Sequence, residues 1–426
     1  LLWGQIFAYY VQVNKSTNIF RRIARGVLFS VLKRFARMAV NKHDPYVIGI
    51  TGSVGKTTAK ELVAHLLSER FKVVKSPHNA NTEWGVVATL IDPTFSPTLT
   101  ADGKGMVTLW QAIKLLLKGL GHLLINQNYP QVLVLELAVD RPRDMKVFNS
   151  FLTLDVAVIT NIGQTHLEFF PNQEALTQAK WEITKGLKAT GVLLANGDND
   201  LIAEKLKTYD KKYYTYGWNQ SNDFSATATS PHGAEIEASF STPKGQLGAR
   251  MPLGRQLVLG ALPAVAIGQF KAMSAEEISR RLSLQQSLSG RFEVYKLSRG
   301  MTLINDAYNA NPDSMKSAIL SMQDIAKGRK VVILGGMAEL GSAHLPAHRM
   351  IGEFVVGRVD LAIFIGAEGK LMAESAQGGN TEIKWMSQPD RDEIISLLSD
   401  NDTVLVKASR VHGLDKIAGT IKEKLK

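Results

Sequence analysis

Between Phe20 and Val40 the apolar residues fall at Phe20, Ile23, Ala24, Val27, Leu28, Val31, Leu32, Phe35, Met38 and Ala39. This is the three-and-four spacing of one helix face, and arginines and lysines take most of the other face. The pattern then changes. Tyr46–Thr51 is a short apolar run that predicts a strand; a glycine-rich stretch follows, and Ala59 to Glu69 predicts a helix. Leu133–Leu137 and Val156–Thr160 read as buried strands, while Phe224–Phe240 and Gly245–Leu253 read as shorter strands of an antiparallel edge subdomain. Beyond Leu288 strands at Thr302–Asn305, Lys330–Leu334, Asp360–Ile365, Glu382–Trp385 and Thr403–Val406 alternate with helices around Pro312–Ile325, Leu345–Val356, Arg391–Ser399 and Leu414–Leu425. The fold class is α/β. Residues 1–45 form a basic amphipathic helical arm, residues 46–288 a mainly parallel sheet covered on both faces, and residues 289–426 a doubly wound unit.

Within the first unit, Ala101–Tyr129 carries Leu109, Trp110, Ile113, Leu116, Leu117, Leu120 and Leu124 at helical spacing, with Lys104, Lys114 and Lys118 and one acid, Asp102. It reads either as a core helix or as one facing a membrane or partner. Leu1–Val13 is apolar and aromatic, too short to span a bilayer alone, and without a cleavage-site pattern.

Charge sharpens the picture of the arm. The net charge is +11, and residues 1–43 hold eight basic residues and no acid, which leaves +3 for the rest. The basic character therefore belongs to the arm, which either lies in an anionic membrane interface or packs its stripe on the body. No base-stacking or groove-reading feature accompanies it, so no nucleic-acid partner is expected. The chain has no cysteine, which excludes disulfides and thiolate metal sites.

The candidate chemistry starts where the first strand ends. Gly52-Ser53-Val54-Gly55-Lys56-Thr57-Thr58 between strand and helix makes a phosphate cradle: backbone amides close around the phosphates and the helix N-terminus adds positive potential. Lys56 would meet the β- and γ-phosphates and the Thr57 hydroxyl would ligate Mg²⁺. The strict phosphate-loop spacing would put its first glycine at Ile50; Gly49 lies one residue earlier, so the loop is a variant.

Gly49–Thr58 resembles the ATP loop of the Mur ligase family, and further matches follow in family order. They are Asn81-Thr82-Glu83-Trp84-Gly85-Val86, Glu136 at the end of its strand, Thr160 to Glu168, Ala179-Lys180-Trp181-Glu182-Ile183, Ser289 to Glu293, Asn305 to Met315, and Lys407-Ala408-Ser409-Arg410. The run Asp306-Ala307-Tyr308-Asn309-Ala310-Asn311-Pro312-Asp313-Ser314-Met315 is typical of the branch that adds D-alanyl-D-alanine to a muramoyl-peptide precursor. The resemblance implies a central ATP-binding domain, a C-terminal Rossmann-like domain, and a cytoplasmic ATP- and Mg²⁺-dependent amide ligase of cell-wall synthesis; the arm, on its interfacial reading, would add a contact at the inner face of the plasma membrane. In that chemistry a carboxylate attacks the γ-phosphate and an amine displaces phosphate from the acyl phosphate, which needs charge neutralisation and positioning.

The resemblance also implies roles. Glu136 and Thr57 would hold Mg²⁺, His166 would help bind a second ion, and Lys180 would ligate Mg²⁺ when carbamylated or contact a phosphate when unmodified; Lys56 and Arg291 would meet the ATP phosphates. Asn309 would contact nucleotide. Asn81, Thr82, Asp306, Tyr308, Asn311, Lys407, Ser409 and Arg410 would contact substrate. Two departures stand out. Only residues 1–45 precede the first strand where the branch has a UDP-binding domain, and the family's HNxxN adenine segment reads Gln256-Leu257-Val258-Leu259-Gly260. They leave open a Mur-like ligase for another peptide, of poly-γ-glutamate or cyanophycin type, and a membrane-associated nucleotide-binding scaffold.

Overall fold

The computed structural model describes residues 25–77, 80–95, 98–99, 105–106, 109–124, 129–163, 167–228, 235–285 and 290–426. In chain order the strands are β1 (Tyr46–Thr51), β2 (Val73–Lys75), the short pair β3 (Thr98–Leu99) and β4 (Gly105–Met106), β5 (Val132–Glu136), β6 (Leu154–Ile159), β7 (Leu187–Asn196), β8 (Tyr213–Gly217), β9 (Phe224–Ala228), β10 (Glu235–Thr242) and β11 (Gly245–Pro252). After them come β12 (Glu293–Lys296), β13 (Thr302–Asn305), β14 (Lys330–Leu334), β15 (Leu361–Ile365), β16 (Glu382–Met386) and β17 (Thr403–Lys407).

Apart from β3 and β4 they form two sheets. The first has the order β11-β10-β9-β8-β7-β6-β1-β5-β2 and is parallel from β2 to β9. The segment expected as an antiparallel edge subdomain is antiparallel, but β8 pairs with β9, so β9–β11 extend the same sheet. The second sheet runs β12-β13-β17-β14-β15-β16. It holds the five expected strands, all parallel, and adds β12 as an antiparallel edge.

Strand alternation decides what each face meets. On β5, Val132 and Val134 join the cluster that also takes Leu62, Val63 and Leu66 of α2 (Lys56–Leu67), whereas Leu133 and Leu135 turn to the opposite face. That opposite face is covered by α1 (residues 25–43), α3 (Glu83–Ile91), α4 (Leu109–Leu124), α5 (Asp144–Asn149), α6 (Gln173–Trp181) and α7 (Asp200–Leu206). The α2 side also takes α8 (Arg255–Phe270) and α9 (Ala275–Ser283). Its cluster runs on without a break through Phe292 and Ile304 to α10 (Pro312–Ile325), α11 (His344–Val355) and α12 (Gly366–Ser375), the last a helix the sequence pattern did not mark. The far face of the second sheet packs α13 (Arg391–Ser396) and α14 (Asp415–Lys424).

Part of the arm's apolar stripe lies on the body: Leu32, Ala36, Ala39 and Val40 are buried against the first sheet's helical layer, Val27 and Val31 are exposed, and residues 20–24 lie outside the described residues. Helix α2 begins at Lys56, three residues before the expected start. Gly55 takes a left-handed conformation and caps it, which brings Lys56 and Thr57 into the first turn.

Helices α2 and α8 approach closely because of Gly260, where a Cβ would lie 2.8 Å from Thr58 Cγ2. Gly260→Val overpacks this crossing and is expected to cost about 1–3 kcal/mol, read as a lower urea midpoint with an unchanged m-value.

Candidate functional site

The cavity lies where the two sheets meet, at the carboxyl ends of β1, β5, β13 and β17; it encloses about 340 Å³. Parallel α/β sheets place their ligands at this end. On leaving β1 the chain turns through Gly52 and Gly55, with φ of +146° and +84°. At Gly52 no side chain fits, since a Cβ would sit 2.1 Å from Thr160 Oγ1. The loop is pinned from one side: Ser53 N–H donates to Asn161 O at 2.7 Å, and Gly163 N–H donates to Ser53 Oγ at 3.0 Å. Gly55 offers no side-chain cap, so no side chain caps the first amides of α2. Such a helix start attracts anions.

Four charged groups converge on this loop. Glu136 follows Val132 and Val134 on the α2 side of its strand, and its carboxylate meets the first turn of α2. It accepts from Thr57 Oγ1 at 2.9 Å and from Asn81 Nδ2 at 3.5 Å. Burial would raise the Glu136 carboxyl. Lys60, Lys56, Arg291 and the Thr57 hydroxyl overcome this and hold it below the usual carboxylate range. Arg291 reaches Thr57 Oγ1 at 3.2 Å from the start of the second sheet's segment and stacks 4.2 Å over the Tyr308 ring. Lys56 Nζ donates to Gly52 O at 2.7 Å, and burial lowers its pKa against the pull of Glu136.

Lys180 is fully buried and also points at the loop, donating to Gly52 O at 3.4 Å and to Val139 O at 3.3 Å. Burial, with the Lys56 charge beside it, lowers its pKa to about 7, although Asp140 and Asp144 pull the other way. His166 lies outside the described residues.

From the second sheet Asp306, Tyr308, Asn309, Asn311 and Lys407 line the cavity. Lys407, at the end of β17, is 2% exposed and ties down the loop after β13, donating to Asp306 Oδ2 at 2.6 Å and Asn309 O at 2.9 Å. Asp306 Oδ1 also accepts from Phe292 N–H at 3.1 Å. The side chains of three other expected residues do structural work: Thr82 and Asn311 cap α3 and α10, and Ser409 Oγ joins Ala338 N–H to Ala310 O. Thr82, Ser409 and Arg410 do not line the cavity; Arg410 is exposed, 5.7 Å from the Tyr308 ring.

Sequence reasoning missed Lys60, Gln256, Asp140 and Glu339. Lys60 is 1% exposed, donates to Ser76 O at 2.9 Å and stands 3.6 Å from Glu136 Oε2. Its signal was the four-residue spacing from Lys56, which puts both on one helix face. Gln256, at the altered adenine segment, lines the cavity and donates to Ser317 Oγ at 3.0 Å. Asp140 and Glu339 line it too, on the loops after β5 and β14.

The sequence matches the Mur ligase middle domain over residues 50–98 and 115–268, and the Mur ligase glutamate ligase domain over residues 290–410. The UDP-N-acetylmuramoyl-tripeptide--D-alanyl-D-alanine ligase of Bacillus subtilis is 28% identical over 401 residues, covering 91% of this chain and 78% of that protein. The ligase of the same name from Escherichia coli is 26% identical, covering 88% and 77%. Among solved structures, the MurF ligase of Thermotoga maritima in complex with ADP has a similar fold, with a TM-score of 0.77 at 22% identity over 93% of this chain and 84% of that one. E. coli FolC, in complex with DHPP and ADP, gives 0.61 at 19%, covering 92% of each.

The Lys180 shift fixes a pH trend. Its pKa lies near 7 in the folded chain against an ordinary value of 10.5, so between these values the unfolded chain holds the extra proton. Stability therefore rises with pH across this window, by at most about 1.4 kcal/mol per unit, and the penalty is fully present below pH 7. Lys180→Met is expected to flatten this rise in urea titrations from pH 7 to 10.

Proposed function

The chain belongs to the Mur ligase family, and we propose that it is the ATP-dependent ligase that joins D-alanyl-D-alanine to a muramoyl-tripeptide with release of ADP and phosphate. The observation that carries this is the convergence of the glycine loop, Lys56, Thr57, Glu136 and Arg291 on one cavity that the Asp306–Asn309 loop closes from the second sheet. The relatives that this chain matches over most of their length bear the name of that activity. In this reading residues 46–288 hold the nucleotide and residues 289–426 bring the phosphate-binding arginine and the acceptor side.

The residues present suit ATP and Mg²⁺. Thr57 and Glu136 offer a hydroxyl and an ionised carboxylate 2.9 Å apart at the cavity, the hard oxygen donors that Mg²⁺ prefers. Mg²⁺ would neutralise charge on the phosphate oxygens. Gly52 to Thr58 would cradle the phosphates, with Lys56 released from the Gly52 carbonyl to pair with them and Arg291 beside it. The tripeptide carboxylate attacks the γ-phosphorus, ADP leaves, and the D-alanyl-D-alanine amine then displaces phosphate from the acyl carbon, losing a proton. Lys180, largely neutral above about pH 7, is able to take up carbon dioxide as a carbamate; with His166 it would then serve a second Mg²⁺. Asn309 is assigned to the nucleotide. Asn81, Thr82, Asp306, Tyr308, Asn311, Lys407, Ser409 and Arg410 are assigned to the substrate side, Lys407 through its hold on Asp306. We place the enzyme in the cytoplasm, at the inner face of the plasma membrane, where the basic arm supplies a peripheral contact.

Phosphate release from ATP is expected only when a muramoyl-tripeptide and D-alanyl-D-alanine are both present, with the pentapeptide product seen by mass spectrometry. Lys56→Ala and Arg291→Ala should each lower turnover about 10²–10³-fold. Turnover with other amino-acid acceptors and none with this pair would assign a different substrate. No ADP under any acceptor would leave a nucleotide-binding scaffold.

A further inference from the structure

Helices α1 and α4 cover the face of the first sheet opposite α2 and α8. They pack on each other where α4 carries Gly119: a Cβ there would lie 3.0 Å from the Phe35 ring. Along α4, Ala112, Leu115 and Gly119 turn inward. Trp110, Ile113, Leu117 and Leu120 turn outward and are 81%, 40%, 67% and 46% exposed. Their spacing of three, four and three residues makes one continuous stripe. Val27 and Val31 of α1 are also exposed, at 60% and 41%.

The two helices themselves carry charge of one sign. Neither residues 25–43 nor residues 109–124 contain an aspartate or glutamate. Arg34 and Arg37 are exposed on α1 and Lys114 on α4. Lys118 is held by the buried Asp92 at 2.6 Å, which leaves that acid no charge to show outside. Residues 99–114, with Trp110 and Ile113, fall between the two stretches that match the family's middle domain, so the exposed tryptophan lies outside the matched residues. At 16 residues α4 is too short to cross a bilayer, and no helix among the described residues is long and apolar enough to do so.

An acid-free, basic-flanked apolar stripe ending in an exposed tryptophan has the chemistry of an interfacial helix. We propose that α4, with the exposed side of α1, docks on the surface of an anionic lipid bilayer. Trp110, Ile113, Leu117 and Leu120 enter the boundary between headgroups and acyl chains, and Arg34, Arg37 and Lys114 meet lipid phosphates. The contact deepens the peripheral membrane placement proposed above and does not rest on the ligase chemistry, since none of these residues lines the cavity.

The test is sedimentation of the full chain with vesicles of phosphatidylcholine alone and of phosphatidylcholine with phosphatidylglycerol. Binding is expected only to the anionic vesicles, weakening in high salt. Trp110→Ser with Leu117→Asp should lower it roughly tenfold or more. Arg34→Glu with Lys114→Glu, which changes only exposed positions, should do the same while leaving the melting curve unaltered. Brominated lipid should quench the wild-type chain more than Trp110→Phe. No binding to anionic vesicles, or binding indifferent to both double substitutions, overturns the proposal. So does a dimer abolished by Trp110→Ser in a chain that ignores vesicles, which assigns the face to a second copy. Shielding of Trp110 from acrylamide in the lipid-free chain also overturns it, and assigns the face to the chain's own residues 1–24.

Discussion

The site rests on one buried carboxylate. Glu136 is nearly out of water, at the end of a strand whose other inward residues are valines, and an isolated anion there would cost several kcal/mol. It stays ionised because Lys56, Lys60 and Arg291 surround it and Thr57 donates to it. Those partners come from α2 and from the segment leading into the second sheet, so holding one charge fixes the loop, the helix start and the approach of the second sheet together. The glycine loop gives the shape of a phosphate site; this carboxylate gives it polarity.

The second sheet contributes through a locked loop. Lys407 grips Asp306 and the Asn309 carbonyl, while Asp306 holds the Phe292 amide. The residues next to Arg291 are thus fastened to the loop that faces the nucleotide cradle. Phosphoryl transfer relies on position more than on covalent steps, and these bonds fix position without occupying the cavity's centre.

Much of this was legible beforehand. Regular alternation after Leu288 marked all five parallel strands of the second sheet, and glycines around Lys56 marked the cradle. What escaped notice has physical reasons. Edge strand β12 is half-buried and short, and α12 starts directly from the end of β15 with no polar cap to announce it. Thr82, Asn311 and Ser409 are polar residues in motif positions, but a motif does not say that capping and loop bonds use their side chains. Lys60 acquires a role only where the fold sets it beside Glu136. In the altered adenine segment, Gly260 has a reason the letters could not show: Thr58 stands where a side chain would go.

The apolar cluster on the α2 side does not stop at the gap between the sheets. It passes from Leu257 and Val258 through Phe292 to Ala310, Met315 and Ala318. The two sheets therefore share a greasy seam, and pulling them apart would wet it. Any hinge motion during turnover must pivot about that seam like a door on a sealed edge, with the polar rim opening while the oily side stays shut.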